Sequence, residues 1–159
     1  MRRSDREVKE FKDIVAIMER CDVCRLALHG EDYPYILPLN FGMCVKNEKI
    51  ELYFHGAIKG TKYALMEKDA RASFEMDCGH KLVTEVEQGS CSMEYESVIG
   101  QGHIEILSDD EKYEALSILM KHYHQEDFPI SEPLMSCTKV FKLVVEKVTG
   151  KRRGPSLPS

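Results

Sequence analysis

Residues 50–62 read IELYFHGAIKGTK and join the pattern of a strand to that of a helix start. Apolar and polar side chains alternate from Ile50 to His55, which predicts a strand with one buried face. The small residues and lysines that follow predict a loop that opens a helix, and this helix should end near Lys68 and Asp69. The segment therefore brings a strand end, a loop and a helix N-terminus together within a short stretch.

Two more strands are predicted before this segment, at residues 24–28 and 35–41. Short turns at residues 30–32 and 47–48 join the three strands, and this spacing is typical of an antiparallel meander. Pro38 lies inside the second strand and has no N–H to donate to a neighbouring strand. It therefore indicates a sheet edge, a bulge or a break.

The remainder of the chain adds strands and flanking helices. Further strands are predicted at residues 72–76, 91–95, 98–107 and 140–148, with residues 91–107 forming either one long bent strand or two. Residues 79–89 are polar and irregular and predict a surface loop or lid, and a basic tail at 149–153 follows the last strand. Helices at about 4–20 and 108–123 each begin with a Ser-x-x-Glu capping box, at Ser4–Glu7 and Ser108–Glu111.

The order of these elements indicates the fold class. No regular helical crossover connects successive strands, which disfavours a doubly wound parallel sheet. We therefore expect a mostly antiparallel β-barrel with peripheral helices. The length of 159 residues suits a single domain, so residues 1–159 are predicted to form one.

Composition narrows the class of function. The formal net charge of −5 argues against a nucleic-acid-binding protein, which normally carries a basic excess, although it leaves room for a local basic pocket. No apolar run approaches the roughly 18 residues that span a bilayer, and the charged N-terminus does not resemble a signal peptide. We expect a cytoplasmic protein that binds neither nucleic acid nor membrane and keeps its six cysteines reduced.

The first candidate for chemistry is the loop from His55 to Lys62. Free amides at a helix N-terminus attract anions, and the small residues Gly56 and Ala57 let a ligand approach the backbone closely. Lys59 and Lys62 lie three residues apart and should share one side of the first helical turn. These groups would suit a terminal phosphate, whereas the alternative is a surface helix start with two solvated lysines.

Other residues are open to two interpretations. Residues 38–40, Pro-Leu-Asn, could leave groups free to bond the edge of a heterocycle, or could form an ordinary bulge or edge strand. His55 could donate a proton or contact a substrate, because its ordinary pKa lies near neutral pH, or it could bond only a cofactor or the backbone. Cys21 and Cys24 have the spacing of half a zinc site, but no second Cys-x-x-Cys exists, and no metal site is predicted.

Six short segments, in order over nearly the whole chain, carry a family resemblance. They are MRR with DRE at 1–7, CRLAL at 24–28, PYILPLNFG at 34–42, LYFHGA at 52–57 with Gly60 and Lys62, YESVIGQG at 95–102 and VTGK at 148–151. Together they resemble the nitroimidazole-resistance (Nim-type) proteins within the pyridoxamine 5′-phosphate oxidase-like FMN-binding superfamily.

This resemblance implies a split β-barrel homodimer with two FMN sites at the subunit interface. It puts residues 38–40 along the isoalloxazine ring and residues 55–62 at the phosphate and ribityl chain, with residues near 97–100 completing the site from the partner subunit. The cofactor-binding residues it implies are Pro38, Leu39, Asn40, Phe54, His55, Gly56, Ala57, Lys59, Lys62, Ser97, Val98 and Gly100. The implied activity is FMN-dependent reduction of a small electron-poor compound such as a 5-nitroimidazole, with His55 as the catalytic residue.

Two positions depart from the family pattern. Gly56 stands where the family usually has Ser, so one hydroxyl donor to the phosphate is lost. Glu96 stands where Arg is frequent, which could change the substrate pocket. Two alternatives to the reductase are a non-enzymatic flavin or haem carrier on the same barrel and an interaction domain stabilised by zinc at Cys21 and Cys24.

Overall fold

One antiparallel sheet organises residues 3–154, the part of the chain that the computed structural model describes. Its eight strands are β1 (Glu7–Val8), β2 (Cys24–Leu28), β3 (Tyr35–Leu39), β4 (Gly42–Lys46), β5 (Lys49–Ala57), β6 (Arg71–Glu85), β7 (Ser90–Ile106) and β8 (Thr138–Arg153). The helices are α1 (Phe11–Glu19), α2 (Thr61–Lys68), α3 (Lys112–His122) and α4 (Glu132–Ser136), with 3-10 turns at Ser4–Arg6, Val86–Gln88 and Asp109–Glu111.

The strand order is β3-β2-β6-β7-β8-β5-β4, and β1 adds to β8. β3 and β4 follow each other in the chain, yet they lie at opposite ends of this order, so the barrel remains open between them. The architecture is the split barrel that the sequence predicts. Pro38 lies on β3, an edge strand, where its missing N–H leaves no ladder bond unmade.

The predicted three-strand meander is wrong. β2 pairs with β3 on one side and β6 on the other, whereas β4 and β5 form a separate hairpin. Residues 42–46, which the sequence pattern did not identify as a strand, pair with β5 through a tight turn. Asn47 and Glu48 both adopt positive φ in that turn (50° and 59°), as a two-residue hairpin requires.

Residues 79–89 do not form the predicted irregular loop. β6 continues to Glu85 and pairs with the start of β7, so this segment forms one strand and the turn of a two-stranded arm. The polar composition of the arm suits its exposure on both faces. Even the apolar cross-strand pair of Leu82 and Met93 is exposed. The predicted basic tail is likewise a strand, because β8 runs on to Arg153 and pairs with β7 as far as Tyr95.

The two predicted capping boxes have different outcomes. Ser4 caps no helix with its side chain, and the predicted helix over 4–20 is divided into a 3-10 turn, β1 and α1. Ser108 and Glu111 do form the reciprocal box, with the Ser108 N–H donating to Glu111 Oε2 at 2.9 Å. It begins the 3-10 turn that leads into α3, so this prediction is confirmed.

Two apolar clusters hold the barrel and its helices together. The main cluster fills the barrel, where Phe54 of β5 stacks on Phe141 of β8 at 5.2 Å between ring centroids. A smaller cluster lies on the other face of β5 and β8, where Val140 packs against Ala115 and Leu116 of α3. Gly42 lets α3 approach β4, because a Cβ at this position would lie 2.5 Å from the backbone nitrogen of Leu119.

A buried carboxylate links the sheet to α1. Glu96 is only 2% exposed and accepts hydrogen bonds from Arg20, just after α1, and from Arg152 of β8, both at 2.5 Å. Charge-assisted bonds of this kind compensate the cost of burying the carboxylate. Glu96 is therefore a structural residue that points away from the outer face of β7, which corrects the expectation that it shapes a substrate pocket.

We expect Glu96→Gln to lower the free energy of unfolding by about 2–3 kcal/mol, because it leaves two partly buried guanidinium groups without their counter-charge. Urea denaturation followed by circular dichroism would measure the change. Glu87→Gln, at an exposed carboxylate in the arm, is the matched control and should have little effect. Equal midpoints for the two variants would contradict a structural role for Glu96.

Candidate cofactor site

The end of β5 carries the residues that the sequence singled out. Phe54 faces the barrel interior, so His55 points to the outer face and Gly56 returns to the inner face at the barrel rim. Gly56 pairs across the ladder with Lys139 of β8, which lies two positions before Phe141. The rim above the Phe54–Phe141 stack therefore presents a glycine on one strand and a lysine on the next.

Tyr63, in the first turn of α2, contacts two lysine ammonium groups. The Nζ atoms of Lys62 and Lys139 are 4.7 and 4.5 Å from the centroid of its ring, within the range of a cation–π contact. Its ring also meets Phe141 edge-on at 6.2 Å. We call Gly56, Lys62, Tyr63 and Lys139 the lysine–tyrosine cluster.

The hydroxyl of Tyr63 is buried, and no residue in 3–154 accepts or donates a hydrogen bond to it. Tyr63 is 5% exposed, and burial raises its pKa, so the phenol keeps its proton at neutral pH. Leaving a buried donor unsatisfied costs about 1–3 kcal/mol. The hydroxyl is therefore a donor that an added acceptor would satisfy.

Lys62 approaches closely because position 56 is glycine. A Cβ on Gly56 would lie 2.7 Å from Lys62 Nζ and 3.1 Å from the Tyr63 hydroxyl. The lysine ammonium thus takes the space of the missing side chain at the position where the family usually has serine. Among residues 3–154, no carboxylate pairs with Lys62 or Lys139. Two unneutralised cations beside a free hydroxyl donor fit an anion such as a phosphate.

His55 lies on the opposite face of β5 and is exposed. Its pKa is below the ordinary value because nearby protein atoms partly desolvate the ring and the Lys62 ammonium disfavours the protonated form. At neutral pH His55 is therefore mainly a neutral imidazole. The same lysine that could hold an anion thus also helps to lower the pKa of this histidine.

Asn40 lies two residues before β4, in the crossing from β3. The first residue of β4, Gly42, pairs with Tyr53 of β5, which lies two positions before His55. The Asn40 amide nitrogen donates to the Tyr123 hydroxyl at 3.1 Å. The described contacts of Asn40 are thus to Asp22 and Tyr123, and its connection to β5 runs through the pairing that begins at Gly42.

The other predicted residues of these segments have different surroundings. Pro38 is exposed and pairs with Arg25, whereas Leu39 is half-buried against the core. Ala57 is exposed at the last position of β5. Lys59 is exposed in the loop before α2, so the expectation that it shares the first helical turn with Lys62 is wrong. Phe54 is buried, so only its backbone could face a ligand.

Residues 97–100 lie far from this cluster within one chain. Ser97 pairs with Lys151 of β8, whereas His55 pairs with Val140, eleven positions earlier on the same strand. At about 3.3 Å per residue, that separation is about 35 Å of strand path. Val98 faces the core, and Gly100 is buried. One protomer therefore does not bring Ser97, Val98 and Gly100 to the same place as His55.

Sequence reasoning missed Tyr63 and Lys139. Tyr63 directly follows a residue that was singled out, but its spacing is also that of an ordinary core aromatic in α2. Lys139 lies far along the chain from Lys62, and only the β5–β8 register reveals their proximity. No local motif indicates this lysine.

Other features of the structure lie outside this site. A cavity of about 420 Å³ opens on the outer face of β2, β6 and β7 beside Ser73 and Gln101, and no predicted site residue lines it. Within residues 3–154, no group of three or more His, Cys, Asp and Glu side chains could hold a metal ion, and both Cys21 and Cys24 are buried. No helix in these residues is long and apolar enough to cross a membrane.

Comparison with known proteins found chains of similar fold. A candidate 5-nitroimidazole antibiotic resistance protein from Bacteroides thetaiotaomicron is 31% identical, with 92% of this chain and 86% of that chain covered and a TM-score of 0.79. An FAD- and heme-binding protein from Mycobacterium smegmatis (17% identity, 97% and 77% covered, TM-score 0.79) shares the fold. An FAD-binding protein from Mesorhizobium loti also shares the fold, at 22% identity, with 94% of this chain and 98% of that chain covered and a TM-score of 0.68.

No curated protein matches the chain in sequence. The family model described as pyridoxamine 5′-phosphate oxidase matches residues 10–152, which is most of the chain. That match includes every residue of the lysine–tyrosine cluster together with Asn40 and His55. The chain therefore belongs to the pyridoxamine 5′-phosphate oxidase family.

Proposed function

We propose that this protein is an FMN-dependent reductase of small electron-poor compounds such as 5-nitroimidazoles, acting as a cytoplasmic homodimer. The observation that carries the proposal is the buried Tyr63 hydroxyl, which has no hydrogen-bond partner among residues 3–154 and whose ring contacts the ammonium groups of Lys62 and Lys139. The six cysteines, all free thiols, fit a reducing compartment.

The lysine–tyrosine cluster fits the phosphate of FMN. Lys62 and Lys139 would neutralise its two charges, and the Tyr63 hydroxyl would donate to one of its oxygens. Amide groups at the start of α2 can add further donors. The serine hydroxyl that the family usually has at position 56 is thus replaced by the Lys62 ammonium.

Bound FMN would supply the electrons for reduction, and the protein would supply binding, orientation and electrostatics. His55 is exposed on the outer face of β5, where a small substrate could reach it. In our proposal its imidazole delivers a proton to the substrate. Neutralisation of Lys62 by the phosphate would raise the pKa of His55, so that cofactor binding prepares the histidine as an acid.

The separation between Ser97 and His55 within one chain supports a dimeric site. If residues 97–100 contact FMN, as the family resemblance implies, they must come from the partner subunit. Ile99 is 56% exposed on β7 beside Ser97, and Ile36 is 63% exposed on β3. Apolar side chains exposed on the outer sheet face fit a subunit interface.

The 31% identical relative supports the nitroimidazole assignment, since its description names resistance to these antibiotics. The FAD- and heme-binding neighbours share only the fold at their low identities. FAD and haem, which these neighbours bind, are therefore the ligands to compare with FMN in a binding experiment.

We expect Lys62→Met and Lys139→Met each to weaken FMN binding by about 10- to 100-fold, because each removes a charge-assisted bond to phosphate. Riboflavin lacks the phosphate, so its affinity should change little in the same variants. Quenching of flavin fluorescence on titration would give both affinities.

Lys46→Met, at an exposed lysine at the end of β4, is the control and should bind FMN like the wild type. Equal losses for FMN and riboflavin would contradict a phosphate site at the cluster. If the wild type binds no flavin but gives a Soret band with haem, the haem-carrier function is favoured over the reductase. If it binds FAD more tightly than FMN, FAD is the cofactor.

The pKa of His55 should rise when inorganic phosphate or FMN binds, and Lys62→Met should raise it without any ligand. NMR titration of the histidine ring protons would follow this change. In steady-state assays with a 5-nitroimidazole, the wild-type rate should rise as pH falls through that pKa, because the protonated ring is the acid.

His55→Gln should keep FMN affinity, lose this pH dependence and reduce the rate by about 100-fold. Full activity in that variant would remove the proposed role of His55. A pKa of His55 that phosphate leaves unchanged would show that Lys62 does not hold the anion.

Light scattering should give twice the chain mass of 18.3 kDa. Ile99→Glu should shift the protein toward monomer and lower its FMN affinity, because the charge cannot be buried against a partner. Val86→Glu, at a side chain that is 86% exposed at the tip of the arm, is the control and should remain dimeric. A wild-type monomer that binds FMN tightly would overturn the dimeric site.

A further inference from the structure

Two cysteine thiols meet beside the end of α1. Cys21, the second residue after this helix, donates its S–H to the carbonyl oxygen of Ile17 at 3.2 Å, and the Sγ atom of Cys78 on β6 lies 4.0 Å from the same oxygen. The two thiols are also close enough for each to affect the pKa of the other. The pKa of Cys24 is affected by burial and by charged side chains, but by no thiol. Cys21 therefore has its neighbour in Cys78 and not in the other cysteine of the Cys-x-x-Cys motif.

The two thiols differ in their access to solvent. Cys21 is 1% exposed, whereas Cys78 is half-buried and lines a cavity of about 430 Å³ together with Arg20, Asp77 and His80. An oxidant as small as hydrogen peroxide can therefore reach Cys78 through this cavity, while Cys21 is shielded from it.

Arg20 supplies a cation and an unused hydrogen-bond donor beside Cys78. One end of its guanidinium bonds Glu96, but its Nε–H is buried and has no hydrogen-bond partner among residues 3–154. Burial raises the pKa of the Cys78 thiol, and the contacts with Cys21 and Arg20 oppose this effect by favouring the thiolate, which is the reactive form. A negative charge on this sulfur, or an oxygen atom added to it, would give the Arg20 donor an acceptor.

We propose that Cys78 and Cys21 form a redox pair that hydrogen peroxide converts into an intrachain disulfide. The Cys78 thiolate attacks one peroxide oxygen, so that an S–O bond forms, the O–O bond breaks and hydroxide leaves; Cys78 is then a sulfenic acid. The Cys21 sulfur displaces the hydroxyl group from Cys78, an S–S bond forms and water leaves. The proton lost from Cys78 converts the hydroxide into a second water. Two thiols thus lose two electrons, and one peroxide is reduced to two waters.

The disulfide would join the end of α1 to the root of the arm. Cys78 is the last residue of β6 before the register with β7 shifts, and the two-stranded arm lies beyond that shift. Because the bond would close a long loop of the chain, it should stabilise the folded state. In a reducing compartment such a bond is transient, so the pair would act as an oxidation sensor. Neither thiol belongs to the lysine–tyrosine cluster, and the inference does not depend on flavin binding.

The test oxidises the full-length, folded protein with hydrogen peroxide in a Cys91→Ser/Cys137→Ser background, which removes the two exposed thiols. Mass spectrometry without reduction should show the loss of two hydrogen atoms. A tryptic digest should link the peptide 21–25 to the peptide 72–81, and dithiothreitol should separate them again. The oxidised protein should unfold at a temperature about 5–10 °C higher than the reduced one.

Single variants in this background assign the two sulfurs. Cys24→Ala should keep the link, although the peptide 21–25 contains this residue. Cys21→Ala should lose the link and accumulate a sulfenic acid at Cys78, which dimedone traps. Cys78→Ala should give neither product. Cys44→Ala, at a half-buried thiol on β4, is the matched control and should keep the link.

Two outcomes would overturn the proposal. One is a link between Cys21 and Cys24, which would show that the sequence motif and not the tertiary contact forms the redox pair. The other is a background protein that shows no link to the peptide 72–81, whether Cys78 stays reduced or stops at an oxidised form that dimedone labels.

Discussion

Strand β8 has two successive neighbours along one of its edges, and the remainder of the structure depends on this arrangement. Its first half pairs with β5 from Thr138 to Val144, its second half pairs with β1 at Gly150 and Lys151, and β7 follows its other edge along most of its length. One late strand therefore joins the N-terminal segment, the β4–β5 hairpin and the β6–β7 pair into one sheet. The same pairing brings Lys139 beside Gly56.

Charge is balanced differently inside the sheet and at the rim. Glu96 is buried between Arg20 and Arg152, and Lys142 contacts both Glu51 and Glu105, at 2.8 and 3.4 Å. In a chain with a net charge of −5, carboxylates are abundant, yet none reaches Lys62 or Lys139 among the described residues. This local excess of positive charge lies beside a buried hydroxyl that has no partner in the described part of the chain, and the two together are the physical basis for proposing an anion at this end of the barrel.

The open seam of the barrel is the second constraint on the site. The chain passes from one sheet edge to the other at Asn40 and Phe41, where no ladder can satisfy the backbone. Tyr123 supplies the missing acceptor to the Phe41 N–H, and the neighbouring His122 bonds the Cys21 carbonyl at 2.9 Å and packs its ring on Phe41 at 4.2 Å. The end of α3 thus holds the seam and, through the same contacts, the orientation of Asn40.

Local patterns in the sequence were enough for the fold class and for part of the site. The family motifs, the edge proline at position 38, the capping box at Ser108 and the strand leading to His55 depend on neighbouring residues alone. The lysine Lys62 and the small residue Gly56 were also found in this way. The pairing of strands was not predicted correctly. The meander interpretation assumed that consecutive strands are neighbours, whereas the open barrel separates β3 from β4.

Tertiary structure alone decided the partners of these residues. Hydrogen-bond register, which no local pattern encodes, places Lys139 at the rim and Ser97 far from His55. Packing of the barrel buries the side chain of Glu96 and leaves the Tyr63 hydroxyl without a partner among residues 3–154. The residue types and the loop that suit a phosphate were thus determined by the sequence itself. The assembly of Lys62, Tyr63 and Lys139 arises from contacts between segments far apart in the chain, because hydrogen bonding and charge act over a few ångströms of space whatever the separation in sequence.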